Sequence, residues 1–433
     1  MRKMKESGIE WIGKCPSNWN MIPTKYLFQV VSGATPQADQ YENWDGDIIW
    51  ITPADFKTDD RNVSKGKRTL TQKGFNSCST TLIPAGSLIF SKRAPIGAVV
   101  VNSVDLCTNQ GCLSSIPYNS NLTCVRYFYY VMAVATDQYE LLGSGTTFKE
   151  ISATNFSNFV LPTPAYEEQQ QIATYLDARC AQVDALIANV QAQIEKLKAY
   201  KQRMITEVVT KGLNPSVPMK DSGVEWIGKI PAHWNITRKL SFVTTEGISY
   251  GIVKLYAPDD VDGVKVLRCS DVLEGFIKPD NVRTVTQEVS NEYARTLLTG
   301  GEVVVNVRGS LGGCAVVPDS MSGYNIAREV AKISLSSKMC NRYVMYYLLS
   351  SCFVEYRTSH LSGSVYVGLN IELLSSCPLP TPELAEQTEI ANYLDGKCAQ
   401  INQLISLKQT KIDKLNEYKK SLIYEYVTGK KEA

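Results

Sequence analysis

Histidine is nearly absent from this sequence: the 433 residues contain two, His233 and His360, far apart in the chain. That scarcity makes a His-rich metal site or a His-based catalytic triad hard to build; His233 reads as a packing residue. No apolar run approaches the ~18 residues that suggest a membrane span. The opening Met1-Arg2-Lys3-Met4-Lys5-Glu6 is basic but no apolar core follows it, so no secretory signal is expected. A phosphate loop of the form G-x-x-x-x-G-K-[ST] is missing. No G-x-G-x-x-G follows a strand, and Gly143-Ser144-Gly145 reads as a turn before Thr146-Thr147. There is no Asn-Pro-Pro-aromatic run of the kind that holds a flipped base for amino-methylation. Pro258-Asp259-Asp260 lacks an acidic-x-Lys partner at nuclease spacing, and no serine stands in a nucleophile elbow. The expectation is a non-catalytic chain with no metal or cofactor of its own.

Neither sign of charge is in excess: 45 Lys and Arg against 43 Asp and Glu leave a net charge of +2. This excludes a generic polycation that coats nucleic acid or anionic lipid. It leaves open a DNA-binding protein whose charges are gathered on one face. The 12 cysteines lack C-x-x-C spacing, the closest pair being Cys107 and Cys112, so they read as small core residues of a cytoplasmic protein. A hydrophobic content of 44% and a charged content of 20% are ordinary for a globular protein. The length suffices for two or three domains with real cores.

What is present is a long periodic stretch. It opens Leu161-Pro162-Thr163-Pro164 and passes through Glu168-Gln169, Tyr175-Leu176-Asp177 and Lys196-Leu197. Val183, Ile187, Val190, Ile194, Leu197, Met204 and Val208 step by four and three, with Lys201 in the one vacant slot. A period of about 3.5 residues held over roughly four heptads predicts a coiled-coil seam. Thr163 is the expected N-cap, Pro164 the expected first helical residue and Gly212 the expected stop. The stretch recurs 218 residues later as Leu379-Pro380-Thr381-Pro382, Glu386-Gln387 and Tyr393-Leu394-Asp395. Its seam is Ile401, Ile405, Lys408, Ile412, Leu415, Lys419, Leu422 and Tyr426, and Lys419 reproduces the Lys201 vacancy. The two seams either pack on each other, the simpler reading, or on separate globular cores.

A second repeat lies upstream of each helix. Ser7-Gly8-Ile9-Glu10-Trp11-Ile12-Gly13-Lys14 returns as Ser222-Gly223-Val224-Glu225-Trp226-Ile227-Gly228-Lys229, and Pro16 and Trp19 return as Pro231 and Trp234. The chain therefore reads as a tandem duplication. Residues 1–160 form a first globular domain with its opening segment at 5–19, and 161–213 a first helix. A linker at 214–218 leads to a second domain at 219–378, with its opening segment at 221–234, and 379–433 form a second helix. Runs such as Asp47–Thr52, Ser87–Ser91, Ala98–Val101, Lys265–Arg268, Glu302–Asn306 and Cys314–Val317 predict strands. Helices are predicted near Cys124–Thr136 and Asn341–Phe353. The fold class expected is α+β: two globular domains separated by two long antiparallel coiled-coil helices, as a pseudo-two-fold tandem repeat.

The two variable blocks share little. Ser91-Lys92-Arg93-Ala94-Pro95-Ile96-Gly97 aligns with Asn306-Val307-Arg308-Gly309-Ser310-Leu311-Gly312, with Arg93 and Arg308 matched. A duplication that keeps its helices while its globular parts drift suggests two related sites of different specificity. If the target is duplex DNA, phosphate contacts come from Lys and Arg, and base reading from Arg, Asn, Gln, Ser and Thr on loops. The candidates are Lys92, Arg93, Asn109, Gln110 and Lys149 in the first block, and Arg268, Asn306, Arg308, Arg328 and Tyr366 in the second. A pure scaffold, with a coiled coil joining partners and domains that bind protein, is the alternative.

The duplicated Ser-Gly-[IV]-Glu-Trp-Ile-Gly segment and the duplicated Leu-Pro-Thr-Pro…Glu-Gln…Tyr-Leu-Asp helix resemble the specificity (S) subunit of type I restriction–modification systems. The resemblance runs from Lys5 to Thr428. It implies two target-recognition domains, each reading one half of a bipartite, asymmetric sequence in double-stranded DNA. It implies helices that set the spacer and dock two modification (M) subunits, with restriction (R) subunits joining the full complex. By the same resemblance S-adenosylmethionine, ATP and Mg belong to those partner subunits, and none to this chain.

Overall fold

A computed structural model describes residues 2–56, 61–93, 95–145, 149–253, 262–278, 280–361 and 368–433. The chain divides into two units: Met1–Val190 with Thr410–Ala433, and Gln191–Gln409. Each unit combines one α+β domain with the start of one long helix and the end of the other.

The predicted strands form where β-branched runs are buried. In the first unit a sheet is ordered Phe28–Ser32, Cys112–Pro117, Leu88–Ser91, Val99–Asn102 and Asn62–Val63. A smaller sheet places Trp44–Ile51 between Cys107–Thr108 and Arg68–Leu70. The second unit repeats this plan. Its larger sheet runs Ser249–Tyr250, Val330–Ile333, Val303–Asn306 and Cys314–Val316. Its smaller sheet sets Val264–Leu267 between Asn325–Ile326 and Arg283–Val285. In both small sheets one pairing is parallel: Cys107 with Trp50 and Thr108 with Ile51, then Asn325 with Val266 and Ile326 with Leu267.

The helices predicted in the blocks are Val125–Val134 and Asn341–Leu349, followed in the second unit by Ser351–Leu361. Each lays Tyr and aliphatic residues on the larger sheet. Phe90, Leu113, Phe128 and Val131 share one core, and Val303, Ala331, Val344 and Tyr347 share its counterpart.

The long helices span Tyr166–Lys211 and Leu384–Val427. The start expected at Thr163 and Pro164 is corrected: Val160–Thr163 is a strand paired with Asn20–Pro23, and Leu379–Thr381 pairs likewise with Asn235–Thr237. Leu161 and Thr163 are buried there, so sheet pairing outcompetes helix initiation until Tyr166. Gly212 ends the first helix with φ +73°, a left-handed conformation that glycine adopts without a Cβ penalty.

Within each unit the two long helices run antiparallel. In the first, Tyr175 meets Tyr426 with ring centroids 4.5 Å apart, and Lys419 Nζ lies 2.7 Å from Asp184 Oδ1. In the second, Lys201 Nζ donates to Asn402 Oδ1 at 3.0 Å and Lys408 Nζ to Gln193 Oε1 at 2.6 Å. The seam is a mixture of buried and half-buried residues: Val183, Val190, Ile194, Met204, Val208, Ile401, Ile412, Leu422 and Tyr426 are buried, and Ile187, Leu197, Ile405 and Leu415 half-buried. The lysines in the vacant slots thus bridge to the facing helix rather than break the seam. Polar seam contacts of this kind favour one register over a slipped one.

Near the domains the helices widen their buried face. Ile172, Leu176 and Cys180 join Leu422, Ile423 and Val427 in the first unit's core. Ile205 and Val209 join Ile390, Leu394 and Cys398 in the second's. Six repeated polar positions explain why the motifs recur. Trp19 and Trp234 are fully buried, and their indole N–H groups donate to Glu168 at 3.1 Å and Glu386 at 2.9 Å. The buried Gln169 carboxamide accepts from Cys124 N and donates to Pro164 O, both at 2.9 Å. Gln387 does the same with Cys340 N at 2.8 Å and Pro382 O at 2.9 Å. The Tyr127 hydroxyl lies 3.0 Å from Pro162 O and 3.1 Å from Val427 O; the Tyr343 hydroxyl lies 3.0 Å from Pro380 O and 3.1 Å from Val209 O. Asp177 accepts from Tyr130 at 2.8 Å, and Asp395 from Tyr346 at 2.7 Å. Burial first, and then the facing carboxylate, raise both hydroxyls well above the ordinary tyrosine range.

The opening segments are matched loops. Ser7 N and Gly13 N bond to Gly13 O and Ile9 O at 3.0 and 2.9 Å, and Ser222 N and Gly228 N bond to Gly228 O and Val224 O at the same distances. His233, expected to pack, is half-exposed and its Nε2 lies 3.0 Å from Glu386 Oε2.

Candidate nucleic-acid interface

The described candidate residues lie at strand ends and on loops that leave the larger and smaller sheets of each unit, and the backbone bonds there define which positions correspond. Lys92 N donates to Gly111 O at 3.0 Å, and Val307 N to Glu329 O at 2.8 Å. Ile151 N donates to Lys92 O at 3.0 Å, and Leu369 N to Val307 O at 2.8 Å. Asn109 N donates to Ile51 O at 3.0 Å, and Ala327 N to Leu267 O at 2.8 Å. Arg93 therefore matches Arg308, Gln110 matches Arg328, Thr52 matches Arg268, Gly111 matches Glu329 and Glu150 matches Gly368.

The loop after the central strand is tied down by the residue that ends the strand. Ser91 Oγ donates to Arg93 O and Pro95 O, each at 2.9 Å. Asn306, one of the candidates, is instead a buried support. Its Nδ2 donates to Cys269 O at 2.9 Å, Val272 O at 3.1 Å and Ser310 O at 3.2 Å. It is 1% exposed, so the expectation that it reads bases is corrected: its amide nitrogen is spent on the loop beneath Arg308. Gly97 and Gly312 close the two loops at φ +99° and +134°.

In the first unit Lys92 is largely buried and its Nζ lies 2.8 Å from Glu150 Oε1; the more exposed Arg93 lies 3.9 Å from Glu150 Oε2. The Asn109 carboxamide oxygen accepts from Gly111 N at 2.9 Å in a local turn. Gln110 is exposed and accepts from the Thr35 hydroxyl. Lys149 is exposed beside this cluster. In the second unit Arg268 is held by Asp271, with Nε 3.4 Å from Oδ2, and its Nη2 lies 3.4 Å from Asn281 O. Asp271 is buried; its partner in the first unit, Asp55, accepts from Thr52 N at 2.8 Å, as Asp271 does from Arg268 N. Arg328 is exposed, with Nε 3.6 Å from Glu329 Oε1. Arg308 is exposed and its guanidinium has no ion pair or hydrogen bond among the described residues. Tyr366 lies outside the described residues.

Sequence reasoning missed Thr35, Glu150, Glu329 and Gly368, all of which shape these edges. The signal that finds them is the backbone register, which no pattern in the blocks displays. Among the described residues no group of three or more His, Cys, Asp or Glu is placed to hold a metal ion, and no described helix is long and apolar enough to cross a membrane. Burial pushes the Cys107 and Cys352 thiols up to about 11, as befits thiols packed in a core.

The fold and these edges define a duplicated α+β protein, each copy braced by an antiparallel helix pair and offering a polar, arginine-bearing loop edge. The family model for the type I restriction modification DNA specificity domain matches residues 16–196 and again 239–429, and the chain belongs to that family. Among its relatives, the MjaIX specificity subunit of a type I restriction enzyme from Methanocaldococcus jannaschii is 34% identical over 188 residues, 43% of each chain. The EcoBI specificity subunit from Escherichia coli is 25% identical over 313 residues, 70% of this chain. The matches span 43% and 65% of the lengths of these two curated relatives. A chain solved in a study of complex assembly and conformational transition of the type I R-M system shares the fold: TM-score 0.70 at 16% identity, covering 95% of this chain and 98% of that one.

Proposed function

We propose that this chain is the DNA sequence-specificity subunit of a type I restriction–modification complex. Each domain reads one half of a bipartite, asymmetric duplex target, and the paired helices set the spacer and dock two modification subunits. Restriction subunits complete the assembly in the cytoplasm. The chain itself is non-catalytic, and S-adenosylmethionine, ATP and Mg are held by the partner subunits. One observation carries this reading: the specificity-domain family matches twice, once around each loop edge. On this reading Arg93 and Arg308 approach base edges or phosphates, and Lys92, Asn109, Gln110 and Lys149 in the first domain and Arg268, Arg328 and Tyr366 in the second are the further contact residues. Arginine suits this task because its fork donates to both O6 and N7 of guanine, and phosphate contacts orient the protein without reading sequence.

The test is methylome sequencing of cells carrying this chain with its modification subunit, against cells lacking the chain. Methyl-adenine at one two-part motif with a constant gap is the expected result. With the modification subunit expressed and active, the absence of any new motif overturns the proposal and returns the chain to a scaffold role.

A further inference from the structure

The matched edges differ at one position in a way that the rest of the fold does not require. In the first unit the bridge back to the loop carries Glu150, whose two carboxylate oxygens face Lys92 Nζ at 2.8 Å and Arg93 Nη1 at 3.9 Å. In the second unit the same backbone position is Gly368, identified by the equivalent bonds Ile151 N to Lys92 O and Leu369 N to Val307 O. A Cβ built on Gly368 would lie 3.6 Å from Arg308 Cγ and 3.6 Å from Val307 O. Both are ordinary van der Waals distances, and φ at Gly368 is not in the left-handed region. Among the described residues, neither space nor backbone conformation therefore demands glycine there. What its presence changes is charge: no carboxylate stands over Arg308 from this side, and the nearby Glu329 approaches Arg328 instead.

We propose that position 150, with its counterpart 368, sets how strongly each unit's basic edge engages the DNA backbone; this rests on the DNA-reading function above. Glu150 holds Lys92 and Arg93 in the free chain and competes with phosphate for them, so the first unit binds DNA only by exchanging one anion for another. In the second unit Arg268 and Arg328 also lie beside carboxylates, but Arg308, next to a glycine, meets phosphate without that exchange. The second unit consequently supplies the larger share of salt-dependent, sequence-independent affinity. The first engages mainly where correct base contacts compensate for releasing Glu150. Each phosphate neutralised by a protein cation steepens the dependence of log affinity on log salt by about 0.9, which makes the difference measurable.

The experiment uses the full chain assembled with its modification subunit and a fluorescent duplex lacking any methylated motif, titrated from low to high salt. Glu150→Gln keeps a hydrogen-bonding partner for Lys92 while removing the charge. It is expected to tighten non-specific binding by roughly threefold or more and to steepen the salt slope by about one. Gly368→Glu installs the carboxylate beside Arg308 and is expected to do the reverse by a similar factor. Thermal unfolding of each variant, compared with the parent, shows that the fold is kept. Variants that fold and bind with the parent's affinity and slope overturn this inference and leave the proposed function standing. A parent complex with no salt-dependent duplex binding overturns both.

Discussion

The two units agree where they are buried and disagree where they are exposed. Trp19 and Trp234 donate to Glu168 and Glu386, Gln169 and Gln387 hold the same two kinds of backbone group, and Tyr127 and Tyr343 join equivalent carbonyls. At the loop edges Gln110 faces Arg328, Gly111 faces Glu329 and Glu150 faces Gly368 across the comparison. The difference teaches which constraint acts on which atoms. A buried polar group left unpaired costs about 1–3 kcal/mol, so every member of a buried clamp constrains the others. An exposed side chain carries no such penalty, so its identity is open to the demands of the partner it meets.

That comparison breaks most severely if its buried members are removed. Trp19→Ala is expected to destabilise the first unit, and Trp234→Ala the second, by about 3–5 kcal/mol each. Hydrogen exchange should show lost protection in the unit carrying the change; equal loss in both units would contradict the clamp's local reach. A smaller effect is expected from Gln387→Ala. It leaves Cys340 N and Pro382 O without their partner at a site 1% exposed, which should cost about 1–3 kcal/mol in denaturant unfolding, and Gln169→Ala should match it. At the bottom of the scale stands Lys420→Ala. Its pair with Asp137 is exposed on both sides, and its removal should shift stability by less than about 1 kcal/mol. A larger change would show that this contact belongs with the clamps.

Much of the architecture was legible because it is written in local periods. The seam at Val183, Val190 and Ile194 and its copy at Ile401 and Ile412 follow from the spacing alone, since a helix presents the same face every three to four residues. The strands at Leu88–Ser91 and Val303–Asn306 follow from short runs of apolar β-formers. The helix start did not: Thr163-Pro164 is a good capping signal, and only the pairing of Leu161 with Ile22 makes it a strand. Asn306 was legible as a polar residue beside an arginine loop, but its role turned on burial beneath Cys269 and Val272, residues more than thirty positions away.

By itself, then, the sequence determined the duplication, the α+β class, the two long helices with their antiparallel seam, and the family resemblance that both family matches bear out. These are properties of repeated motifs and of periods a few residues long. The tertiary structure decided what the motifs are for: Glu168, Gln169 and Asp177 turn out to be clamps closed with residues 45 to 149 positions away. It also decided which edge residues correspond. The offset between copies drifts from 215 to 218 residues along the chain, so the pairing of Glu150 with Gly368 exists only in the backbone hydrogen bonds. Contacts between distant residues depend on how the chain closes on itself, and no local pattern encodes that.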